Sequence, residues 1–380
     1  MIRRTMGKAA ARIALAAAIA IARAGPAAPQ AGDAADPRDR AVGEATRSAV
    51  VESVAVALTG YYVFPDAGER MAETIRRRNR DGAYAECLTL FALAQSLTED
   101  LRSESGDGHL RIMVRPDAYF EPAADDTSTD EEAARVAEEE AYENFGFLEV
   151  KRLRGNVGYL RMNGFYDAGR AGPTAAAAMA FLAHSDAVLI DLRLTLGGSP
   201  TMDQLLASWF FDRPTRLSSF HRRMGDSTDV KQHWTQPFAP GADLSKADLF
   251  ILTSEQTPSA AEAFAYDMKH LGRATIVGDT TAGAAHPCME HVFPDLNLSF
   301  DVPFARAVHP VTGTDWEGTG VIPDIAVPEE EALAAAHLAA LERIRDRTID
   351  DRRRAGTEWA LDWVRGTAEP ARLSEREMEE

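Results

Sequence analysis

Leu249-Phe250-Ile251-Leu252-Thr253, then Ser259-Ala260-Ala261-Glu262, then Ala274-Thr275-Ile276-Val277-Gly278: residues 249–278 carry the reading of the fold. The first run is almost continuously apolar, as a strand buried on both faces must be. Residues 259–271 read as a helix that Gly272 stops, and residues 274–278 form the next strand. Upstream, Ala187-Val188-Leu189-Ile190-Asp191-Leu192 is a second continuous apolar run, and Val157-Gly158-Tyr159-Leu160-Arg161-Met162 alternates with period two. A helix is expected between them over residues 175–184. Strands alternating with helices make the class α/β, and this larger unit spans residues 145–328.

Outside it the patterning changes. Val50, Val51, Val54, Ala55 and Leu58 form one helical stripe, and Leu90, Phe91, Ala94, Leu97 and Leu101 form another. Pro65 breaks the first helix after Tyr61-Tyr62-Val63-Phe64, since the residue before a proline is pushed out of the helical region. Residues 46–115 therefore read as a small N-terminal helical domain. Residues 116–144 form an acidic linker or surface helix: residues 121–143 hold ten acids against Arg135 alone. Residues 329–380 read as a charged helical C-terminal tail carrying Trp359 and Trp363.

The chain of 380 residues carries 59 acidic side chains against 41 Lys and Arg, and a formal charge of −18. That balance argues against a nucleic-acid partner, which requires basic patches. Cys87 and Cys288 are too few for a disulfide scaffold or a Cys-rich zinc site, and are expected as two separate buried thiols. Arg3, Arg4, Lys8 and Arg12 precede an apolar stretch over residues 13–22 and the small-x-small Ala22-Arg23-Ala24. This is the pattern of a cleaved signal peptide over residues 1–24, and ten apolar residues are too few to span a membrane, which takes about 20. The expectation is an exported protein, periplasmic or secreted, with a disordered lead-in over residues 25–45.

Three local patterns can carry chemistry, and each has a plainer alternative. Thr257-Pro258-Ser259-Ala260-Ala261-Glu262 is either a capping box or a nucleophile at a helix start, where backbone N–H groups favour an oxyanion. Asp191-Leu192-Arg193 followed by Leu196-Gly197-Gly198-Ser199-Pro200 is either a turn or a backbone able to approach a substrate carbonyl. In Ser105-Gly106-Asp107-Gly108-His109-Leu110 a histidine follows a glycine-rich turn, where it is either a solvated side chain or a base.

Taken in order along the chain, these segments resemble one family: the tricorn-core and C-terminal-processing serine peptidases, in their interphotoreceptor retinoid-binding-protein-like branch. The similarity covers roughly residues 48–330. It runs through Tyr62-Val63-Phe64-Pro65, Asp107-Gly108-His109-Leu110, Asn144-Phe145-Gly146-Phe147 and Gly155-Asn156-Val157-Gly158-Tyr159-Leu160. It continues through Ile190-Asp191-Leu192-Arg193, Gly197-Gly198, Ser259-Ala260-Ala261-Glu262 and Thr280-Thr281-Ala282-Gly283 to Trp316-Glu317-Gly318-Thr319-Gly320-Val321-Ile322-Pro323-Asp324. The resemblance implies a ClpP/crotonase-like core and a serine-type peptidase acting on peptides or unfolded proteins, with no cofactor or metal. It places the nucleophile on Ser259, the general base on His109 and the orienting acid on Glu317. Gly198 and Ala260 would donate the oxyanion-hole N–H groups, and Ser105 or Asp107 would be weaker members of the network.

The chain departs from the wider family in four ways. Residues 280–286 contain no lysine for a Ser-Lys dyad, and the linker is too short for a PDZ domain. Pro258 stands where an aromatic is common, and Thr195 where an Asn is frequent. Of the other histidines, His286 and His291 are not expected to bind metal, and His309 reads as a surface residue near the site. A histidine base of ordinary pKa would give a rising limb at about 6 to 7. The alternative functions on this scaffold are a non-catalytic binder of apolar small molecules and a hydrolase of non-peptide esters or amides.

Overall fold

The computed structural model describes residues 36–120, 129–225 and 227–366. In chain order the N-terminal elements are α1 (Glu44–Tyr61), α2 (Pro65–Arg80), α3 (Leu90–Ser105), β1 (Arg111–Val114) and α4 (Thr129–Tyr142). The central elements are β2 (Phe147–Leu153), β3 (Val157–Met162), α5 (Ala168–Leu182), β4 (Ala187–Asp191), α6 (Pro200–Ser208), β5 (Arg216–Met224), β6 (Ser227–Trp234), β7 (Asp248–Thr253), α7 (Ala260–His270) and β8 (Ala274–Gly278). They are followed by β9 (Cys288–Phe293), β10 (Leu298–Pro303), β11 (Ala305–Val308), β12 (Ile325–Ala326), α8 (Glu329–Arg347) and α9 (Asp351–Val364).

The α/β class is realised as a six-stranded sheet of order β12-β8-β7-β4-β3-β2, parallel except for the β2–β3 hairpin. Both faces are covered, which is why its strands read as continuous apolar runs; every residue of β4 is buried. Leu160, Ile190, Ile251 and Ile276 stand in register across four strands and face one core with α5, α6 and α7. The opposite face, with Tyr159, Leu189 and Phe250, is covered by Ala336, Ala340, Leu341 and Ile344 of α8 and by α9. The charged tail thus packs on the body of this chain as far as residue 366. Trp359 and Trp363 stay partly exposed and stack on the Arg154 guanidinium at 4.6 and 4.5 Å.

The N-terminal helices do not close a core alone. Leu298, Phe300 and Val302 of β10 are buried among α1, α2 and α3, and β10 pairs with β1 on one side and β9 on the other. Chain order separates the helical segment from the α/β core, but packing joins them. This junction holds the loop after α3 beside the loops that follow β8 and β11.

Some boundaries differ from the sequence reading. Residues 36–45 of the lead-in are ordered, because Val42 is buried, its N–H bonds Leu88 O, and Arg40 O accepts Leu90 N–H. Helix α5 begins at residue 168 rather than 175, since the Asp167 side chain caps it at Gly169 N–H; Pro173 sits inside the helix and leaves one N–H out of its ladder. Cys87 and Cys288 are separate thiols, but Cys87 is half-buried and Cys288 exposed rather than both buried. The signal-peptide reading over residues 1–24 lies outside the described residues. Among those described, no helix is long and apolar enough to cross a membrane.

Candidate active site

The loop after β7 is stitched to the loop after β4. Ser254 Oγ donates to Arg193 O at 2.6 Å, and Thr257 Oγ1 donates to Leu192 O at 2.9 Å. At the end of this loop Ser259 is the N-cap of α7, with φ 57° and ψ −124°. A cap needs only an extended backbone, whereas a non-glycine residue here costs about 1–3 kcal/mol and persists only where its surroundings hold it. Glu262 does part of the holding, because its Oε2 accepts Ser259 N–H at 2.9 Å. The capping arm expected from Glu262 is therefore present on a strained, outward-turned serine that is exposed to solvent.

Gly197 and Gly198 have φ of 79° and 136°. A Cβ on Gly197 would stand 2.9 Å from Ser259 Cβ and 3.1 Å from Pro258 O, and one on Gly198 would stand 2.2 Å from Phe165 O. Glycine is required at both because backbone approaches backbone. The N–H groups of Gly198 and Ala260 have no acceptor among the described residues. Thr195, the departure noted in this loop, is buried and anchors it through Oγ1 to Met162 O at 2.7 Å.

His109 stands on the turn that ends α3 at Gly106. Asp107 Oδ1 accepts His109 N–H at 3.0 Å and lies 3.2 Å from its Nδ1. Glu317 Oε1 reaches the same Nδ1 at 3.1 Å, while Glu317 Oε2 accepts the N–H groups of Ala285 (2.7 Å) and His286 (3.0 Å). Two carboxylates at Nδ1 keep its proton there and leave Nε2 as the basic face. Burial opposes the imidazolium, but the bonds to Asp107 and Glu317 outweigh it and lift the His109 pKa to about 9. The His109 imidazole is therefore not the one of ordinary pKa on which a limb at about 6 to 7 was expected. Of the two weaker candidates, Asp107 is in the network; Ser105 Oγ accepts Asp107 N–H at 3.0 Å and only supports the turn.

Residues 156–327 match the profile of peptidase family S41, and residues 44–145 match the N-terminal domain of that family as found in eukaryotic IRBP. The chain belongs to peptidase family S41. It is a serine-type peptidase. This S41 peptidase shares its fold with a candidate peptidase from Parabacteroides merdae at 17% identity and TM-score 0.54, covering 83% of this chain and 100% of that one. It is similar also to mature CPAF solved with lactacystin, at 13% identity, TM-score 0.53 and 84% and 97% coverage. The tricorn protease matches at 12% identity and TM-score 0.50 over 80% of this chain, which spans 37% of tricorn.

Two acids tie the Ser259 and His109 segments to one loop. Buried Glu262, which holds Ser259, accepts N–H from Gly283 (2.7 Å) and Ala284 (2.8 Å); Glu317, which holds His109, accepts from the next two residues. The structure brings Glu317 to His109 and sets Ser259 at the start of α7; the approach of Gly197, the reach of Glu262 beyond its own helix turn and the contact of His286 with Asp107 were not expected from the sequence. Only the glycine pair carried a signal for any of these. His309 is neither a surface residue nor a site contact: it is buried, with Nε2 3.8 Å from Asp267 Oδ1. His291 lies against the Tyr61 ring at 4.3 Å. Donor atoms of Asp107, His109 and Glu317 fall within 4.8 Å of one another, a spacing a cation could use, and both carboxylates lie within hydrogen-bond distance of His109 Nδ1.

Proposed function

We propose that this peptidase cleaves peptide bonds through an acyl-enzyme on Ser259, with His109 as base and Glu317 as orienting acid. The observation that carries the reading is the strained backbone of Ser259, exposed at a helix start and packed against Gly197. In this mechanism His109 Nε2 takes the Ser259 proton as Oγ attacks the carbonyl, and Asp107 and Glu317 stabilise the imidazolium through Nδ1. The N–H groups of Gly198 and Ala260 receive the oxyanion, and His109 then passes its proton to the leaving amine. Water attacks the acyl-enzyme by the same route. Peptides or unfolded proteins are the substrates, and the N-terminal pattern directs export.

A fluorophosphonate probe tests the nucleophile. The adduct should map to Ser259, and Ser259→Ala should abolish both labelling and hydrolysis while costing only about 1 kcal/mol of stability through the lost cap. An unlabelled wild-type protein would favour a binder of apolar small molecules. Hydrolysis surviving in purified Ser259→Ala would overturn the assignment.

A further inference from the structure

Three carboxylates, Asp107, Asp315 and Glu317, converge on two imidazoles, and the mechanism above uses only one of these. The other belongs to His286, which is buried. Its Nδ1 lies 3.0 Å from Asp107 Oδ2 and 3.7 Å from Glu317 Oε2, and its Nε2 lies 3.7 Å from Asp315 Oδ2. The rings of His286 and His109 are 6.3 Å apart between centroids, with Asp107 and Glu317 reaching both. Asp107 is thus shared: Oδ1 faces the base and Oδ2 faces His286, while Tyr62 Oη also donates to Oδ2 at 3.2 Å.

Two ionised carboxylates against one Nδ1–H are unbalanced. Without compensation they would share a proton or hold that of His109 still more firmly than its raised pKa of about 9 already reflects. We propose that His286 is a positioning residue that stands as an imidazolium behind Asp107 and Glu317 and, by balancing their charge, limits how tightly they hold the His109 proton. The inference rests on the reading of His109 as the base. Burial disfavours a charge on His286, but the Asp107 bond, Asp315 and Glu317 prevail and lift its pKa to about 9.

Other charged groups are near but differently placed. Cys288 follows two residues on, and Asp301 of β10 adds a further acid to this side. A cavity of about 560 Å³ beside His286 is also lined by Arg70, Glu104 and Arg306. Arg306 lies 5.6 Å over the Phe64 ring, and Phe64 stands edge-on to His286 at 5.8 Å. Arg306 is therefore the rival source of positive charge. If it balances the acids instead, removal of His286 changes nothing at His109.

Ring-carbon NMR titration of the histidines, assigned with His109→Gln and His286→Gln, decides between these. In the wild type His286 should remain charged at pH 7. In His286→Gln the His109 midpoint should rise by about half a pH unit or more, because a positive neighbour has been removed. The rising limb of fluorophosphonate labelling should move to higher pH by the same amount. A neutral His286 at pH 7 in the wild type overturns the proposal even if the variant fails to fold. So does a His109 midpoint that is unchanged or lower in His286→Gln. The titrations need no turnover, so a wild-type protein inert to the probe would count against the nucleophile and leave this question decided on its own.

Discussion

Two clusters of aspartate and histidine in this molecule have opposite electrostatics. At the site, Asp107 and Glu317 are ringed by donors; the Asp107 pKa is depressed against the pull of burial, and the neighbouring histidines are raised to about 9. Beneath β5, Asp203 of α6, Asp267 of α7 and His309 are buried with few partners. Burial lifts the Asp267 pKa to about 7 despite Ser218, whose N–H and Oγ donate to it at 3.0 and 2.5 Å. Burial raises the Asp203 carboxyl too, with the charge of Asp267 adding to it, and Asp203 Oδ1 has no hydrogen-bond partner among the described residues. His309, whose Nδ1 accepts the N–H groups of Val311 and Thr312, is pushed down to about 4 by burial and then by His270. Similar side chains are thus charged in one place and neutral in the other. The difference lies in the donors and opposite charges supplied, since burial alone always favours the neutral form.

The largest effect should come from the proposed base. His109→Ala should lower kcat by a factor on the order of 10⁴, measured in steady state on a peptide substrate, with KM little changed. Wild-type kcat in this variant would reduce the charged cluster to a structural feature.

Next in size is the proposed orienting acid. Glu317→Gln should lower kcat by a factor on the order of 10² to 10⁴, since Gln cannot stabilise the imidazolium. Asp107→Asn should lower it by less than about tenfold at pH 7, and should bring the rising limb down from near 9 toward 6.5 by removing one of the two acids. The pair of pH profiles identifies the orienting acid: a greater loss in Asp107→Asn would transfer that role to Asp107.

The smallest effect belongs to the neutral cluster and appears in stability rather than activity. A carboxyl with a raised folded pKa holds a proton that the unfolded chain releases, so Asp267 lowers stability as pH rises from about 4 to about 7. Asp267→Asn should leave kcat unchanged, and its Tm relative to wild type should improve between pH 5 and pH 8. At the site the sign is reversed. The raised pKa values of His109 and His286 stabilise the fold fully below about 6.5, and that contribution is lost as pH rises through about 9. Melting curves across pH 5 to 10 check both slopes; a Tm difference for Asp267→Asn that does not vary with pH would show that the carboxyl is ordinary.

What the sequence determined by itself were the features encoded within a single segment. Continuous apolar runs marked β4 and β7 because a strand covered on both faces has no polar side to show. Ser259 with Glu262 three residues on marked the start of α7 because a capping box is local chemistry. Family order then singled out His109 and Glu317, although nothing in either segment states that the two meet. Tertiary structure decided the remainder. A hydrogen bond between residues 208 apart, such as His109 Nδ1 to Glu317, has no spacing rule in the chain. The positive φ of Ser259 is held by a loop stitched to another strand's end, and the charge on each imidazole depends on donors and acids brought from distant loops. His286 and His309 show the limit most directly: each is one imidazole in the sequence, and only the fold gives one three acids and buries the other with no hydrogen bond at Nε2 among the described residues.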